Sequence, residues 1–321
     1  MNTPPNPEHR LQTRRRRVVT GLSIVALFLP LVWADAAGAA GAAPAWWLLP
    51  VALVVAAAAA AELAAILGRR GPAPRPALLA AACVAVPLAA ALGSPAFRGR
   101  AESGSPFELA GWMATAVVAA TIAACVAELL AYRAGGGALE RLAGTALGLV
   151  MVALPLGFLV ALRLLGTRRY DGGWHTPGLA PLVALIASVK TGDVLAYLVG
   201  STAGRHRMAP LLSPGKTWEG AAGSIAGALL ASWIVLVPLA GILAPAGGAA
   251  AGPWGGWIVH GLLVGVAGIL GDLAESLVKR EAGVKDSGAS LGAMGGALDL
   301  VDSLLFAAPA AWLLWVNGFP S

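Results

Sequence analysis

Apolar runs about twenty residues long recur along almost the whole chain, and each is long enough to cross roughly 30 Å of hydrocarbon. They lie near residues 18–37, 45–67, 77–93, 109–132, 142–165, 178–200, 218–243, 256–275 and 297–316, which predicts about nine membrane-spanning helices. Within lipid every backbone N–H and C=O must be satisfied inside the protein, and single apolar segments achieve this as helices. The expected fold class is therefore all-α, a polytopic integral membrane protein with membrane lipids as its surroundings. Composition agrees: 58% of the 321 residues are hydrophobic and only 12% are charged, which is too little charge to clothe a soluble core of this size.

The polar segments between the runs set an orientation. Residues 1–17 form a basic tail ending in Arg14, Arg15, Arg16 and Arg17. The run that follows is long and has no small-residue cleavage site after a short core, so it reads as an uncleaved first span with a cytoplasmic amino terminus. Alternation then places residues 69–75, 133–141, 204–216 and 278–285 on the cytoplasmic side, as the positive-inside rule requires. Residues 94–108 and 244–254 fall on the other side, and Arg168 and Arg169 are misplaced by this rule. The net charge of +6 is thus explained by topology and anionic head groups, and no nucleic-acid partner is expected. Cys83 and Cys125 lack the spacing of a metal or redox pair and read as small core residues. The organisation expected is a cytoplasmic tail (1–17), amino-terminal scaffold helices (18–170) and a carboxy-terminal catalytic region (171–321) with cytoplasmic loops at 201–217 and 276–297. Glu62 and Glu128 fall in the scaffold with no pattern that assigns them a role.

Three polar stretches interrupt the second half. The first, KTGDVLAYLVGSTAGRHR (190–207), carries Lys190 and Asp193 within an apolar span. Charges at that depth either pair across one helical turn or face a cavity. The second, SPGKTWEG (213–220), sets Lys216 and Thr217 at a helix start, where backbone N–H groups favour anions. It lacks the Walker glycine spacing, and by itself it reads better as a helix cap with a snorkelling lysine. The third runs from GDLAES to ALDLVD. Asp272, Glu275 and Ser276 share one helix face, Lys279, Arg280 and Lys285 follow, and after a glycine-rich turn come Asp299 and Asp302, again on one face. A solvated loop would account for the lysines but not for aspartates at the mouth of a span. Carboxylates from two helix ends with cations between them suit Mg²⁺ and phosphates, and the glycines permit a sharp turn and close backbone approach.

This third stretch resembles the signature of the phosphatidate cytidylyltransferases (CDP-diacylglycerol synthases): Ser276, Lys279 and Arg280, then Lys285 and Asp286, Gly295 and Gly296, and finally Asp299 and Asp302. The upstream pieces, Asp193 to Tyr197 and SPGKTWEG, are similar to the same family, so the motifs cover residues 190–303, and the amino-terminal half matches only as a hydrophobic multi-span region. Three positions depart from the family pattern: Met294 replaces a usual His, Leu300 a usual Arg and Gly292 a usual Pro. If the missing His or Arg is essential, a weak enzyme or a diverged paralogue is expected.

The resemblance implies that CTP and phosphatidic acid react to give CDP-diacylglycerol and pyrophosphate, with Mg²⁺ as cofactor, at the cytoplasmic ends of the carboxy-terminal helices and in the cell's inner membrane. It implies Asp272, Asp299, Lys285 and Asp286 as the catalytic set, and Asp272, Asp299 and Asp302 as metal ligands. Asp193, Tyr197, Ser213, Lys216, Thr217, Ser276, Lys279 and Arg280 are implied as substrate-binding residues. His175, His206 and His260 are scattered, which fits an acceptor phosphate that needs no strong base. The oligomeric state is open, with a homodimer among the options. Rival readings are a CTP-dependent transferase or kinase for another lipid, and a transporter. Transporter charges gather near mid-membrane and often recur in two related halves, whereas here they collect at one face.

Overall fold

A computed structural model describes residues 30–35, 45–95, 97–98, 105–133, 136–165, 168–170, 173–175, 178–243, 256–285, 287–288 and 296–318. Among these, eight helices are long and apolar enough to cross a membrane. They are α1 (Leu49–Leu67), α2 (Pro76–Gly93), α3 (Pro106–Leu130), α4 (Ala138–Gly148 continuing through Leu154–Leu164), α5 (Leu179–Thr202), α6 (Trp218–Leu236), α7 (Gly256–Glu281) and α8 (Ala297–Val316). The first expected span, 18–37, is described only at residues 30–35, which are helical; the rest of it lies outside the described residues.

Local chemistry sets the helix ends. Proline occupies the first turn of α1, α2 and α3, where its missing N–H costs nothing. In α3 the Ser105 side chain also accepts the Phe107 N–H at 3.3 Å. Thr217 caps α6 by accepting the Gly220 N–H at 3.1 Å, as its place before the apolar run leads one to expect. In α4 a π-turn over Leu149–Ala153 precedes Pro155, so the proline ring is absorbed by a local widening and the span continues. Two short antiparallel pairs, β1 (Arg168–Tyr170) with β2 (Gly173–His175) and β3 (Arg207–Ala209) with β4 (Ser213–Thr217), connect spans.

Contacts sort the loops into two ends. Arg75 and Arg141 both pair with Glu128, at 3.0 and 2.6 Å, and Arg70 pairs with Glu281 at 3.4 Å. Arg280 Nε donates to the Leu212 carbonyl at 2.9 Å. These links join the four basic segments expected on one side. At the other end Arg163 meets Asp35 at 2.6 Å, Arg98 meets Glu108 at 2.5 Å, and Trp46 stacks on Phe97.

Two kinds of packing hold the helices. A core of alanine, leucine and valine side chains from α1, α2 and α4 also takes in Leu298, Val301 and Leu305 of α8, so the last helix is seated in the amino-terminal half of the chain. Backbones in the second half approach more closely. A Cβ at Gly227 would lie 2.7 Å from the Thr191 carbonyl, and one at Gly271 would lie 2.5 Å from that of Asp302. Small residues at such crossings are how membrane helices gain van der Waals contact in a solvent as apolar as themselves. Cys83 is buried as expected; Cys125 is exposed, because α3 is the least covered of the spans and turns that side chain away from the bundle.

Candidate active site

A cavity of about 780 Å³ opens at the end of the bundle that carries the basic loops. α5 lines it with Lys190, Asp193 and Tyr197, and the β3–β4 hairpin with Arg207, Ser213, Lys216 and Thr217. α7 brings Asp272, and α8 brings Asp299, Asp302 and Ser303. Stretches more than a hundred residues apart thus meet in one chamber. Glycines let the end of α5 and the residue pair beyond it approach the start of α6: a Cβ at Gly200 would lie 3.3 Å, and one at Gly204 2.8 Å, from Thr217 Oγ1.

Cations and carboxylates alternate around the wall. Lys216 Nζ sits 2.7 Å from Asp272 Oδ2. Lys190 Nζ lies 3.3 Å from Asp193 Oδ2 and donates to the Leu300 carbonyl at 3.1 Å. It therefore both pairs within its helix and faces the cavity, so the two readings of this lysine hold together. Ser303 Oγ reaches Asp302 Oδ1 at 3.1 Å and Asp193 Oδ1 at 3.4 Å, joining α5 to α8.

Asp299 does most of its bonding at the rim. Its Oδ1 accepts Lys279 Nζ at 2.7 Å, and its Oδ2 accepts the backbone N–H groups of Gly296 at 2.8 Å and Ser287 at 3.2 Å. Lys279 is also held by Glu275 Oε2 at 2.9 Å. Asp272 and Asp302, by contrast, stand on facing helices brought together at Gly271.

Not every sequence-nominated residue reaches the chamber. Ser276 lies one turn of α7 past Asp272, beyond the last residue of that helix to line the wall. Arg280 is exposed and spends its guanidinium on the hairpin backbone, and Lys285 is exposed in the loop beyond α7. Asp286, Gly292, Met294 and Gly295 lie outside the described residues. Leu300 packs against the amino-terminal core, so the apolar residue at this position serves the seat of α8. His206 pairs with Glu219 at 2.6 Å and His260 contacts Ser232 at 3.0 Å; neither lines the cavity.

Sequence reasoning passed over Arg207, Ser224 and Ser303, which line the chamber. Ser303 follows directly on Asp302, and Ser224 lies one helical turn beyond Gly220; both positions were legible once the neighbouring motifs were placed. Glu62 was also passed over. From the middle of the amino-terminal half it accepts the N–H groups of Ala297 at 3.0 Å and Leu298 at 2.9 Å, and the Ser287 hydroxyl at 3.3 Å.

The donor set tests whether a divalent cation suits this wall. Among the described residues no three Asp, Glu, His or Cys side chains converge as a ready metal cage. Hard carboxylate oxygens nevertheless face the cavity, and Mg²⁺ is bound characteristically by one or two carboxylates with water and substrate phosphate completing its shell. The residues fit that ion better than one that demands a full protein cage.

The sequence profile of the cytidylyltransferase family matches residues 15–316. An uncharacterized protein of Escherichia coli K12, YnbB, is 37% identical over 166 residues, covering 50% of this chain and 49% of that protein. A phosphatidate cytidylyltransferase of Brucella abortus is 41% identical over 142 residues, covering 42% of this chain and 47% of the other. One of Mycobacterium bovis is 41% identical over 133 residues, 41% of this chain and 39% of that protein. The chain thus aligns with about half the length, or less, of these curated relatives.

Proposed function

We propose, from the premise that this chain belongs to the cytidylyltransferase family, that it transfers the cytidylyl group of CTP to phosphatidic acid, giving CDP-diacylglycerol and pyrophosphate. The observation that carries this reading is the meeting of three separate motifs, around Asp193, Lys216 and Asp272 to Asp302, in one chamber at the basic end of a membrane bundle. A soluble nucleotide and a lipid head group have to meet at such a boundary. The basic loops make that end cytoplasmic by the positive-inside rule, in the inner membrane of a bacterial cell.

An oxygen of the phosphatidate phosphate attacks the α-phosphorus of CTP, the bond to the α,β-bridging oxygen breaks, and pyrophosphate leaves with those electrons. The nucleophile is already ionised, so no strong base is needed, and the difficulty is to bring two polyanions together. Lys190, Arg207 and Lys216 line the chamber and are suited to neutralise and orient phosphate oxygens, in keeping with phosphoryl transfer through positioning and charge stabilisation. Asp272 and Asp302, which line the chamber, would hold Mg²⁺, while Asp299 holds Lys279 and the N–H of Gly296 before α8. The ion, when bound, supplies charge neutralisation on the phosphates and the departing pyrophosphate. Asp193 and Ser303 tie α5 to α8 and fix the spacing between nucleotide and metal subsites.

The test is pyrophosphate release by the purified protein in detergent with CTP, phosphatidic acid and Mg²⁺, each left out in turn. Release that requires all three is expected. Release without the lipid, or none with folded protein and all three present, would overturn the reading.

A further inference from the structure

We propose that Glu62, in the amino-terminal half of the chain, is a positioning residue for the chemistry: it fixes the start of α8 and with it the aspartates that α8 presents. This deepens the cytidylyltransfer reading and rests on it. The first turn of any helix leaves N–H groups without intrahelical partners, and they are usually met by a side chain at the N-cap. Here the N-cap is Gly296, which has none to offer. Glu62 reaches in from α1 and accepts the N–H groups of Ala297 and Leu298, one on each oxygen, while Asp299 Oδ2 takes that of Gly296 itself. The helix start is therefore capped by two carboxylates from opposite halves of the sequence.

Two glycines, one on either side of this carboxylate, leave room for it. A Cβ at Gly296 would lie 2.2 Å from Glu62 Oε2, and one at Gly288 would lie 2.8 Å from Glu62 Oε1. Side chains at either position would expel it. Ser287 joins both parts, its hydroxyl donating to Glu62 and its N–H to Asp299. Glu62 is only 9% exposed, so water is a poor substitute for the bonds it makes. Removing it frees the first turn of α8, and Asp299 loses the fixed backbone that orients it toward Lys279. Asp302, one turn further along, moves with the same segment.

The experiment compares Glu62→Gln with wild type in two arms. Without substrates, amide hydrogen exchange is followed across residues 287–303 and in α5 to α7. With CTP and phosphatidic acid, kcat, the KM for the lipid and the Mg²⁺ concentration giving half-maximal rate are measured. Faster exchange confined to 287–303, with kcat lowered or the Mg²⁺ requirement raised by about tenfold and the lipid KM little changed, is expected, since groups that orient ligands typically cost 10- to 100-fold when lost. Unchanged exchange, or faster exchange with an unchanged kcat and Mg²⁺ requirement, overturns the proposal. If wild type itself transfers nothing, the cytidylyltransfer reading falls, and the hold of Glu62 on α8 is still decided by the exchange arm. Should Glu62→Gln loosen the whole bundle, Ser287→Ala removes one donor to Glu62 and must shift both arms in the same direction by a smaller factor. The matched change Glu128→Gln, at a scaffold carboxylate that pairs with the loop arginines Arg75 and Arg141, is expected to leave the Mg²⁺ requirement unchanged.

Discussion

The two ends of the bundle each carry an ion pair of nearly equal length, and they differ in what surrounds it. At the end away from the chamber Arg163 and Asp35 meet at 2.6 Å with side chains 2% and 0% exposed. At the open end Lys216 and Asp272 meet at 2.7 Å with 20% and 38% exposure. The first pair is buried, and Asp35 also accepts the Trp47 N–H at 3.3 Å, so it serves as a lock between the segment before α1 and the end of α4. The second borders the open chamber, where, on the proposed function, an incoming phosphate would compete for the lysine and a cation for the aspartate. Similar chemistry gives structure where it is sealed and, on the proposed function, a binding site where it is open.

Substitutions that separate lock from site test this contrast. The largest effect on folding is expected for Arg163→Met alone, which strands Asp35 without its partner. Breaking one side of a buried pair costs about 3–5 kcal/mol, read as a fall in detergent thermal stability. Adding Asp35→Leu should restore most of it, because replacing both buried charges is often neutral. Lys216→Met should leave the melting temperature within a few degrees of wild type but lower kcat about 100-fold, the usual cost of losing a donor to transition-state charge. Arg207→Ala, which removes a guanidinium at the cavity wall, should weaken CTP or lipid use by roughly tenfold, as one charge-assisted hydrogen bond is worth about 1.5–3 kcal/mol. The smallest effect is expected at Arg280→Ala, which cuts the tether from α7 to the hairpin at Leu212. A neutral-scale loss of about 1 kcal/mol would show as a few-fold rise in KM with kcat nearly intact. Equal losses of stability from Lys216→Met and Arg163→Met would erase the distinction between the two ends.

Hydropathy and charge made the spans and their alternation legible, since lipid leaves an apolar segment of that length few alternatives. Motif spacing made the chamber legible as well: Asp193, Lys216, Asp272, Asp299 and Asp302 do meet. Spacing alone does not say where a wall stops. Ser276 shares a helix face with Asp272 but lies beyond the cavity, and Arg280 turns to backbone rather than inward. The β3–β4 hairpin escaped because SPGKT has the composition of a turn, and its pairing with Arg207–Ala209 depends on the tight approach of α5 to α6. Glu62 was the hardest to see. Its donors lie more than two hundred residues away, and in sequence it is one carboxylate in an alanine-rich span. Only the glycines at 288 and 296 hint that something must be let in, and they carry the meaning of a flexible turn until the partner is seen.

The central claim is nucleotidyl transfer to a phospholipid in the open chamber, and the most direct measurement follows radiolabelled CTP into the lipid phase with phosphatidic acid as acceptor. With label on the α-phosphate, wild type should yield labelled lipid and Asp272→Asn should yield almost none; with label on the γ-phosphate, the lipid should stay unlabelled. Label arriving in lipid from the γ-phosphate would mean a kinase. No transfer from either position by folded protein would contradict the account.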